Sequence, residues 1–539
     1  SSFVGEEALP FEEQAYRGKR LMMRVALAAE LTVLSNRLLR IARLDRRTRD
    51  FTLNTLRQAL AEVVACFPVY RTYVNATASA QDRRYIDWAV SQAKRRIPAA
   101  EDTIFDFIRN VLLLQAPEGA PPEVLDEYRA IAMRFQQYTA PVTAKGVEDT
   151  AFYRYNRLVS LNEVGGDPHQ FGMTVKAFHG ASLARLQHWP HTMLASSTHD
   201  NKRSEDVRAR INVLSEMPAN WRLALRRWSR INRARHARLD GRPAPSRNDE
   251  YLLYQILLGS LPAGELDEAA LAAYRERIEG YMIKAMREAK VHTSWLNPNA
   301  DYEQAVIEFV RALLGKVSDN LFLDDLRALA QPVAWYGALN SVAAAAVKLC
   351  SPGVPDIYQG NEILDFSLVD PDNRRPVNYE HRHRMLRELQ AMAERPQLAE
   401  AVRSLIEPAH IHDGRAKLWV TWRALGLRRE REALFRDGDY LPVQALGARA
   451  AHVLAFARRL GGQGAILAVG RLYASLGLEA GEPPLGAAVW GAGGLDAGFL
   501  PGGVRLTNVL TGEKLAPRDG MLPLAEVFAH FNAALLVYG

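Results

Sequence analysis

Residues 193 to 210 read Met-Leu-Ala-Ser-Ser-Thr-His-Asp-Asn-Lys-Arg-Ser-Glu-Asp-Val-Arg-Ala-Arg. An apolar run leads into a turn of small residues and then into the pair His199 and Asp200, a pattern typical of a strand that ends in a loop. In a (β/α)8 barrel, the carboxyl ends of the strands carry the active site. The stretch therefore predicts an α/β fold with both side chains at a barrel mouth. The alternative interpretation is that Asp200 caps a helix that begins near Lys202.

The chain before this stretch has a helical pattern. Leu27, Leu31, Leu34, Leu38 and Ile41 recur at helical spacing, which predicts one buried helix face. Further helices are predicted at 52–66, 82–95 and 101–115, with a last one before Phe135. From 136 to 200, short apolar or aromatic runs with turn residues predict strands that end in loops, and residues 141–155 are one such run.

The chain after this stretch is expected to be helical from about 203 to 330 and again at 333–348, followed by a short buried strand at 353–360. One helix face within 203–330 is formed by Ala305, Val306, Phe309, Val310, Leu313 and Leu314. After about residue 405, β-prone runs separated by Gly, Pro and charge predict an antiparallel β domain. These runs are Leu418–Trp422, His452–Phe456, Ala465–Val469, Val504–Asn508 and Ala533–Tyr538.

Composition excludes several classes of protein. The two cysteines, Cys66 and Cys350, are too few for a disulfide framework and lack the neighbours of a zinc site, so we expect a reducing, cytoplasmic location and no metal. The longest nearly uncharged apolar stretch, 338–347, is well short of the roughly 20 residues that span a bilayer. No membrane partner is therefore expected.

An arginine-rich segment offers a competing interpretation. Between Arg222 and Arg242 there are eight arginines and one acid, as in a nucleic-acid-binding surface. However, Trp221, Leu225, Trp228 and Ile231 share one helical face. The aromatic residues are therefore expected to pack inward and to leave the arginines in water, which argues against a nucleic-acid partner.

Several motifs carry a resemblance to a known family. Residues 198–200 resemble the strand-7 motif of the α-amylase superfamily, and 353–362 resemble its strand-8 motif. From about residue 10 to 460, the chain is similar to the maltooligosyltrehalose synthase family. The motifs that carry this similarity are Lys145–Tyr155, Ser160–Pro168, His199–Arg210 and Leu368–Pro376, with Phe67–Tyr73, Arg287–Lys290 and Thr293–Trp295.

The resemblance implies an incomplete α-amylase-type (β/α)8 barrel with long helical insertions and a C-terminal antiparallel β domain. We divide the chain into a helical insertion at 1–134, the C-terminal part of the barrel at 135–400 and a β domain at 405–539. The second helical insertion, at about 203–330, lies within the barrel part.

The resemblance also implies an isomerase, a glucan glucosylmutase of trehalose biosynthesis. Such an enzyme converts the reducing-end α-1,4 linkage of a malto-oligosaccharide into an α,α-1,1 linkage within the same molecule. Retention of configuration requires a nucleophilic carboxylate and an acid/base carboxylate roughly 5 to 5.5 Å apart. Water must be excluded, since it would otherwise hydrolyse the intermediate. The reaction needs no cofactor, and nothing in the sequence indicates an oligomeric state.

The sequence departs from the family pattern in one respect. Neither the Gly-x-Arg-x-Asp segment of the nucleophile nor the motif of the acid/base is found in residues 1–539, and residue 1 is Ser rather than Met. We therefore expect a fragment that lacks the first five barrel strands and is inactive alone. Two alternatives stay open: a different α-amylase-type hydrolase or transglycosylase, and a non-catalytic glucan-binding remnant.

The resemblance implies that Asp200 is the transition-state stabiliser, a buried carboxylate that accepts hydrogen bonds from two sugar hydroxyls. It also implies that His199 donates a hydrogen bond to the same sugar. The alternative interpretation of His199 is a purely structural role. Lys202 and Arg203 are expected to contact the glucan or to hold Asp200 ionised, or else to pair with Glu205 and Asp206.

Four further residues complete the predicted substrate site. Lys145 is placed on the same rim as a substrate contact. Glu163 is a rim candidate whose alternative role is to stabilise a turn. Asp372 together with Arg374, or with its neighbour Arg375, is expected to hold sugar hydroxyls.

Overall fold

The computed structural model describes residues 3–5, 9–98, 101–264 and 266–539. The chain divides into two compact units. The helical unit comprises residues 1–157 and 284–302, and the mixed unit comprises residues 158–283 and 303–539.

The helical unit has a single large apolar core, to which six helices contribute. These helices are α1 (Phe11–Val25), α2 (Ala28–Ala42), α3 (Leu53–Ala65), α4 (Ala80–Arg96), α5 (Asp102–Leu112) and α6 (Pro122–Thr143). Thr52 and Ser79 begin α3 and α4 with capping boxes, which satisfy backbone N–H groups at each helix start. The predicted face of α2 is confirmed, because Leu31, Leu34 and Leu38 are buried.

The strands expected at 141–155 are absent from the structure. Helix α6 continues through Pro141 to Thr143, and a π-helical turn follows at Ala144–Glu148. The apolar residues here lie on a continuing helical face, since Phe135, Tyr138 and Val142 are all buried. Gly18 of α1 packs directly against Gly146 in this turn, where a side chain on either residue would collide with backbone.

The mixed unit contains the remaining helices, except that residues 284–302 belong to the helical unit. These are α7 (Val175–His188), α8 (Glu205–Val213), α9 (Pro218–Ile231), α10 (Arg247–Ser260), α11 (Glu268–Ala289), α12 (Ala300–Leu313), α13 (Leu321–Cys350), α14 (Tyr379–Ala393), α15 (Leu398–Ser404), α16 (Arg415–Glu430), α17 (Glu432–Asp437), α18 (Gly486–Trp490) and α19 (Leu524–Val527). Residues 203–330 are therefore largely helical. Trp221, Leu225 and Trp228 on α9 are buried, which confirms that the aromatic residues of the arginine-rich segment pack inward.

Helix α13 is the longest in the described chain, with 30 residues. By length and composition alone it could cross a membrane, with a mean hydropathy of 1.3 over its most apolar window. However, 78% of that window is buried inside the protein. This burial is the pattern of a core helix, on which neighbouring elements such as α8 and α16 pack.

Thirteen strands are found among the described residues, all in the mixed unit. They are β1 (Met193–Leu194), β2 (Ala237–Leu239), β3 (Arg242–Ala244), β4 (Val354–Pro355), β5 (Asp439–Val443), β6 (Ala445–Leu446), β7 (Val453–Leu460), β8 (Gln463–Gly470), β9 (Gly494–Asp496), β10 (Leu506–Asn508), β11 (Lys514–Leu515), β12 (Met521–Pro523) and β13 (Ala533–Tyr538). Strands β1 and β4 are parallel neighbours, with Met193 opposite Val354. The hairpin β2–β3 forms a separate two-stranded sheet.

The C-terminal strands form two antiparallel sheets, one in the order β11-β10-β13-β8-β7-β5 and one in the order β12-β9-β6. Both sheets contribute to one apolar core, which includes Ile466, Leu495, Leu522 and Leu536. Strands β7, β8 and β13 confirm three of the predicted runs. The run that ends at Asn508 is a strand only in its last three residues.

Two further strand predictions differ from the structure. Residues 418–422 belong to helix α16, in which Ala416, Val420 and Ala424 face inward at a spacing of four. Periodicity cannot separate a short apolar run in a buried helix from a strand, and tertiary packing decides the outcome. The buried strand expected at 353–360 is reduced to β4, where Val354 is 48% exposed.

Candidate active site

The segment from β1 to α8 presents His199 and Asp200. We call residues 195–204 the His199 loop. The side chains of His199 and Asp200 are 65% and 70% exposed, and His199 Nε2 lies 3.7 Å from Asp200 Oδ2. The predicted burial of the Asp200 carboxylate is therefore wrong for the described chain, because the residue lies at the exposed end of its loop. The capping alternative is also wrong, since the N-cap of α8 is Ser204.

Hydrogen bonds within the His199 loop fix its shape. The buried side chain of Asn201 accepts from the Thr198 N–H at 2.5 Å and from the Thr198 hydroxyl at 2.9 Å. The Asp200 N–H donates to the same hydroxyl at 3.2 Å. The backbone that carries the two exposed side chains is thus held by a closed turn.

A second loop, residues 356–378 after β4, lies beside the His199 loop. We call it the Asp372 loop. The side-chain amide of Asn373 donates to the His199 carbonyl at 2.9 Å and to the Thr198 carbonyl at 3.4 Å. The Ser204 N–H donates to the Ser367 carbonyl at 3.0 Å. The two loops that follow the parallel strands β1 and β4 are therefore joined at the same edge, as the barrel prediction requires.

Glu163 binds the end of the His199 loop that leads into α8. Its carboxylate accepts from the Lys202 N–H at 2.9 Å and the Arg203 N–H at 3.3 Å, and from its neighbour Val164 at 2.8 Å. Arg208 Nε lies 3.7 Å from the same carboxylate. This geometry is that of a loop-stabilising carboxylate, the alternative raised by the sequence.

Lys202 and Arg203 are both buried, with 5% and 1% exposure. The Arg203 guanidinium donates to the carbonyls of Val159 and Asn162 at 3.1 and 3.3 Å, and to the Tyr281 hydroxyl at 2.9 Å. Arg203 therefore fixes the segment that precedes Glu163. Its contacts are backbone carbonyls and a hydroxyl, which differ from the ion pairs with Glu205 and Asp206 considered above.

Asp372 and Arg374 occupy different environments. The Asp372 carboxylate forms a two-pronged pair with Arg277, at 3.0 and 2.8 Å, and accepts from the Leu368 N–H at 2.7 Å. Burial opposes its ionisation, but these donors outweigh burial and lower the pKa of Asp372. Arg375 Nε also lies 3.0 Å from Asp372, whereas Arg374 is 53% exposed and pairs with Asp370. Of this group, Asp372 is the least exposed, whereas the side chains of Arg374 and Arg375 are 53% and 52% exposed.

A buried charge cluster lies beneath the His199 loop. Lys417 of α16, 2% exposed, places its ammonium 2.7 Å from Glu205 and 2.8 Å from Asp206. Asp206 also accepts from the backbone N–H of Asp365 at 2.7 Å, which links α8 to the Asp372 loop. Although burial opposes ionisation, the charges of Lys417 and Lys348 lower the pKa of Glu205 to about 2.

Sequence reasoning missed this cluster. Lys348 donates to the Ser196 hydroxyl at 2.7 Å and lies 3.4 Å from Glu205. Lys417 lies 211 positions from Asp206 in the chain, within the predicted β domain and just before the run Leu418–Trp422 that was expected to be a strand. Nothing local in the sequence indicates that these residues meet.

Lys145 lies in the helical unit, on the π-helical turn that follows α6. Its ammonium is 2.8 Å from the Asp149 carboxylate, and its side chain is 61% exposed. The other predicted site residues all lie in or beside the two joined loops of the mixed unit. They are His199, Asp200, Lys202, Arg203, Glu163, Asp372 and Arg374. No group of three His, Cys, Asp or Glu side chains that could hold a metal ion occurs within the described ranges.

Comparisons with known proteins agree with this architecture. No family model matches the chain. A curated relative from Mycobacterium tuberculosis (strain H37Rv), which bears the name maltooligosyl trehalose synthase, is 38% identical over 410 residues, or 75% of this chain and 45% of the relative. A solved maltooligosyltrehalose synthase from Arthrobacter ramosus is 34% identical with a TM-score of 0.75, and the match covers 98% of this chain and 59% of that chain.

A second solved maltooligosyl trehalose synthase is 27% identical with a TM-score of 0.69, and the match covers all of this chain and 59% of that chain. The matches thus span about half the length of these relatives. The resemblance found in the motifs is confirmed. So is the fold class, part of an α-amylase-type (β/α)8 barrel with long helical insertions and a C-terminal antiparallel β domain.

Proposed function

From this kinship with the maltooligosyltrehalose synthases, we propose that the chain forms the sugar-binding side of such an enzyme's active site. The reaction is the intramolecular conversion of the reducing-end α-1,4 linkage of a malto-oligosaccharide into an α,α-1,1 linkage, an isomerase activity in trehalose synthesis. The observation that carries the proposal is the exposed Asp200, which stands where the two loops after parallel strands meet.

Asp200 stabilises the transition state by accepting hydrogen bonds from hydroxyls of the sugar at the cleaved linkage. These bonds strengthen as the ring flattens toward the oxocarbenium-like transition state, so they lower the barrier rather than only tightening substrate binding. His199, whose ring lies beside the carboxylate, donates to the same sugar. Both side chains are exposed and therefore reachable by a substrate.

The other predicted substrate contacts fall into two groups, those with exposed side chains and those whose polar atoms are already bound within the protein. Arg374 has an exposed side chain and contacts sugar hydroxyls directly. Lys145, on the helical unit, also has an exposed side chain and stays a predicted substrate contact. Glu163, Arg203 and Asp372 act by holding the two loops, since their polar atoms already bind backbone and side chains of the protein. Lys202, buried next to Asp200, remains a predicted substrate contact.

The nucleophile and the acid/base come from a part of the barrel outside residues 1–539. Once assembled, they lie roughly 5 to 5.5 Å apart, as a retaining mechanism requires. The released glucose stays in the closed site and attacks the glycosyl-enzyme through its anomeric hydroxyl, which regenerates the acid/base. Exclusion of water favours this transfer over hydrolysis. No cofactor enters these steps, the substrate is a malto-oligosaccharide, and the proposed location is the cytoplasm.

Product analysis tests the proposal. The chain, joined to the missing barrel part, is incubated with maltopentaose, and reducing ends and free glucose are measured over time. We expect reducing ends to disappear without equivalent glucose release, and Asp200→Asn to slow this loss by about 10² to 10⁴. Release of glucose or maltose as the main product would instead indicate a hydrolase. No turnover by the complete barrel would indicate a glucan-binding remnant.

The matched control is Asp319→Asn. Asp319 is also exposed, at 88%, and its backbone has a positive φ that asparagine adopts readily. We expect this variant to react at the parent rate, because the residue lies at the N-terminal side of α13, away from both loops in the sequence.

A further inference from the structure

An open groove in the helical unit is lined by positively charged side chains. We call it the basic groove. Its volume is about 630 Å³, within the range of small-molecule sites. Six cationic residues line it: Arg17, Arg20, Arg24, Arg57, Arg154 and Lys290.

The rim of the basic groove carries charge that the protein does not neutralise. Arg17 pairs with Glu13 at 2.7 Å, and Arg20 pairs with the buried Glu62 at 2.6 Å. Arg24 and Arg57 are exposed, and no carboxylate lies within ion-pair distance of either in the part of the chain that the structure describes. The groove therefore has a local excess of positive charge, which attracts anions.

The floor of the basic groove contains two partly buried cations. The Arg154 guanidinium donates to the Ala289 carbonyl at 2.6 Å. The Lys290 ammonium donates to the Asp149 carbonyl at 2.7 Å and is ion-paired with the Glu288 carboxylate at 3.3 Å. Burial, and then the nearby charge of Arg17, lower the pKa of Arg154, and burial lowers the pKa of Lys290. A bound anion is stabilised more strongly by cations that are partly desolvated and close to a like charge than by fully solvated cations.

The remaining lining is suited to a polar ligand body. Asn54 and Gln58 lie on α3 one turn apart and provide amides, which bind hydroxyl groups. Leu21 and Leu31 add apolar surface. Arginine forks match the oxygens of phosphate, and the amides match sugar hydroxyls.

We propose that the basic groove binds a phosphate monoester carried on a sugar-sized body. The phosphate lies between Arg24 and Arg57 at the rim and Arg154 at the floor. The hydroxyl groups of the sugar contact Asn54 and Gln58. This site is independent of the proposed function, since it involves neither Asp200 nor turnover.

Calorimetric titration of the 539-residue chain at low ionic strength tests the site. The probes are glucose 6-phosphate, inorganic phosphate and glucose. We expect glucose 6-phosphate to bind most tightly, inorganic phosphate more weakly and glucose not measurably. The double variant Arg24→Gln/Arg57→Gln should lose at least about tenfold in affinity for glucose 6-phosphate, and since both side chains are exposed on helices, it should keep its fold.

The control is Arg43→Gln/Arg84→Gln, which removes two exposed arginines of the same unit that do not line the groove. Its affinity should stay within about twofold of the parent value. Equal loss in both double variants would overturn the proposal, since binding would then follow net charge alone. Absence of glucose 6-phosphate binding would overturn it as well. Equal affinity for phosphate and glucose 6-phosphate would overturn the sugar part.

Discussion

Asp200 and Asp206 lie six positions apart and have opposite surroundings. Asp200 is 70% exposed in the His199 loop, and His199 Nε2 lies 3.7 Å from its carboxylate. Asp206 is 1% exposed and bound by Lys417 and the Asp365 N–H. The difference indicates that the two carboxylates of this one segment have different roles. The exposed carboxylate is available for a ligand, whereas the buried one fixes the loop that presents it.

Removal of Lys417 tests the buried half of this comparison and has the largest expected effect on stability. Lys417→Met leaves Glu205 and Asp206 buried with too little positive charge, so we expect the free energy of unfolding to fall by about 3 to 5 kcal/mol. Urea denaturation measures the change. Lys316→Met, which removes an ammonium that is 57% exposed, should shift the same quantity by less than about 0.5 kcal/mol. Similar midpoints for the two variants would contradict a structural role for the cluster.

Acid titration sharpens the same comparison. The pKa of Glu205 is lowered from 4.5 to about 2 in the folded protein, so its stabilising contribution is complete above the unfolded pKa and is lost as the pH falls through about 2. Between about pH 5 and pH 2, this group should contribute a loss of about 3 kcal/mol of unfolding free energy. The stability difference between the parent and Glu205→Gln should therefore shrink with falling pH.

Glu430→Gln, at an exposed position of α16, is the control for this titration. Its stability should run parallel to that of the parent over the same range. A difference between the parent and Glu205→Gln that stays constant with pH would show that Glu205 is not ionised preferentially in the folded state.

The link between the two loops has the smallest expected effect. Asn373→Ala removes the amide that donates to the His199 carbonyl, so the His199 loop becomes less well positioned. In the protein completed by the missing barrel part, we expect turnover to fall about tenfold, with a change in unfolding free energy of only about 1 kcal/mol. Asn36→Ala removes an amide-to-carbonyl bond on α2 and should leave turnover unchanged. Equal turnover in both variants would show that Asn373 does not position Asp200.

Local patterns predicted the elements whose sequence and packing agree. The face of α2 could be read from leucines at helical spacing, and β7, β8 and β13 from short β-prone runs. The strand prediction at 418–422 is wrong because Leu418, Trp419, Val420 and Thr421 are consecutive buried residues of α16, and a short apolar run does not separate a helix buried on several sides from a strand. Trp419 shows the reason, since its indole N–H donates to the Leu510 carbonyl, a partner 91 positions away.

The candidate site was predictable only in part. The His-Asp pair and the proline-rich loop with Asp372 stand out as motifs, and the structure joins their loops through Asn373. The buried roles of Arg203 and Lys417 could not be predicted, because burial of a cation depends on partners that are distant in sequence. Lys417 meets Asp206 only once α16 has packed beside α8 and α13.

The central claim is that Asp200 acts on the transition state, and steady-state kinetics of Asp200→Asn in the completed protein test it most directly. The account predicts that kcat falls by about 10² to 10⁴ while KM for maltopentaose changes by less than about threefold and the unfolding midpoint is unchanged. A variant with the parent kcat and a raised KM would contradict it, because Asp200 would then contribute only to substrate binding.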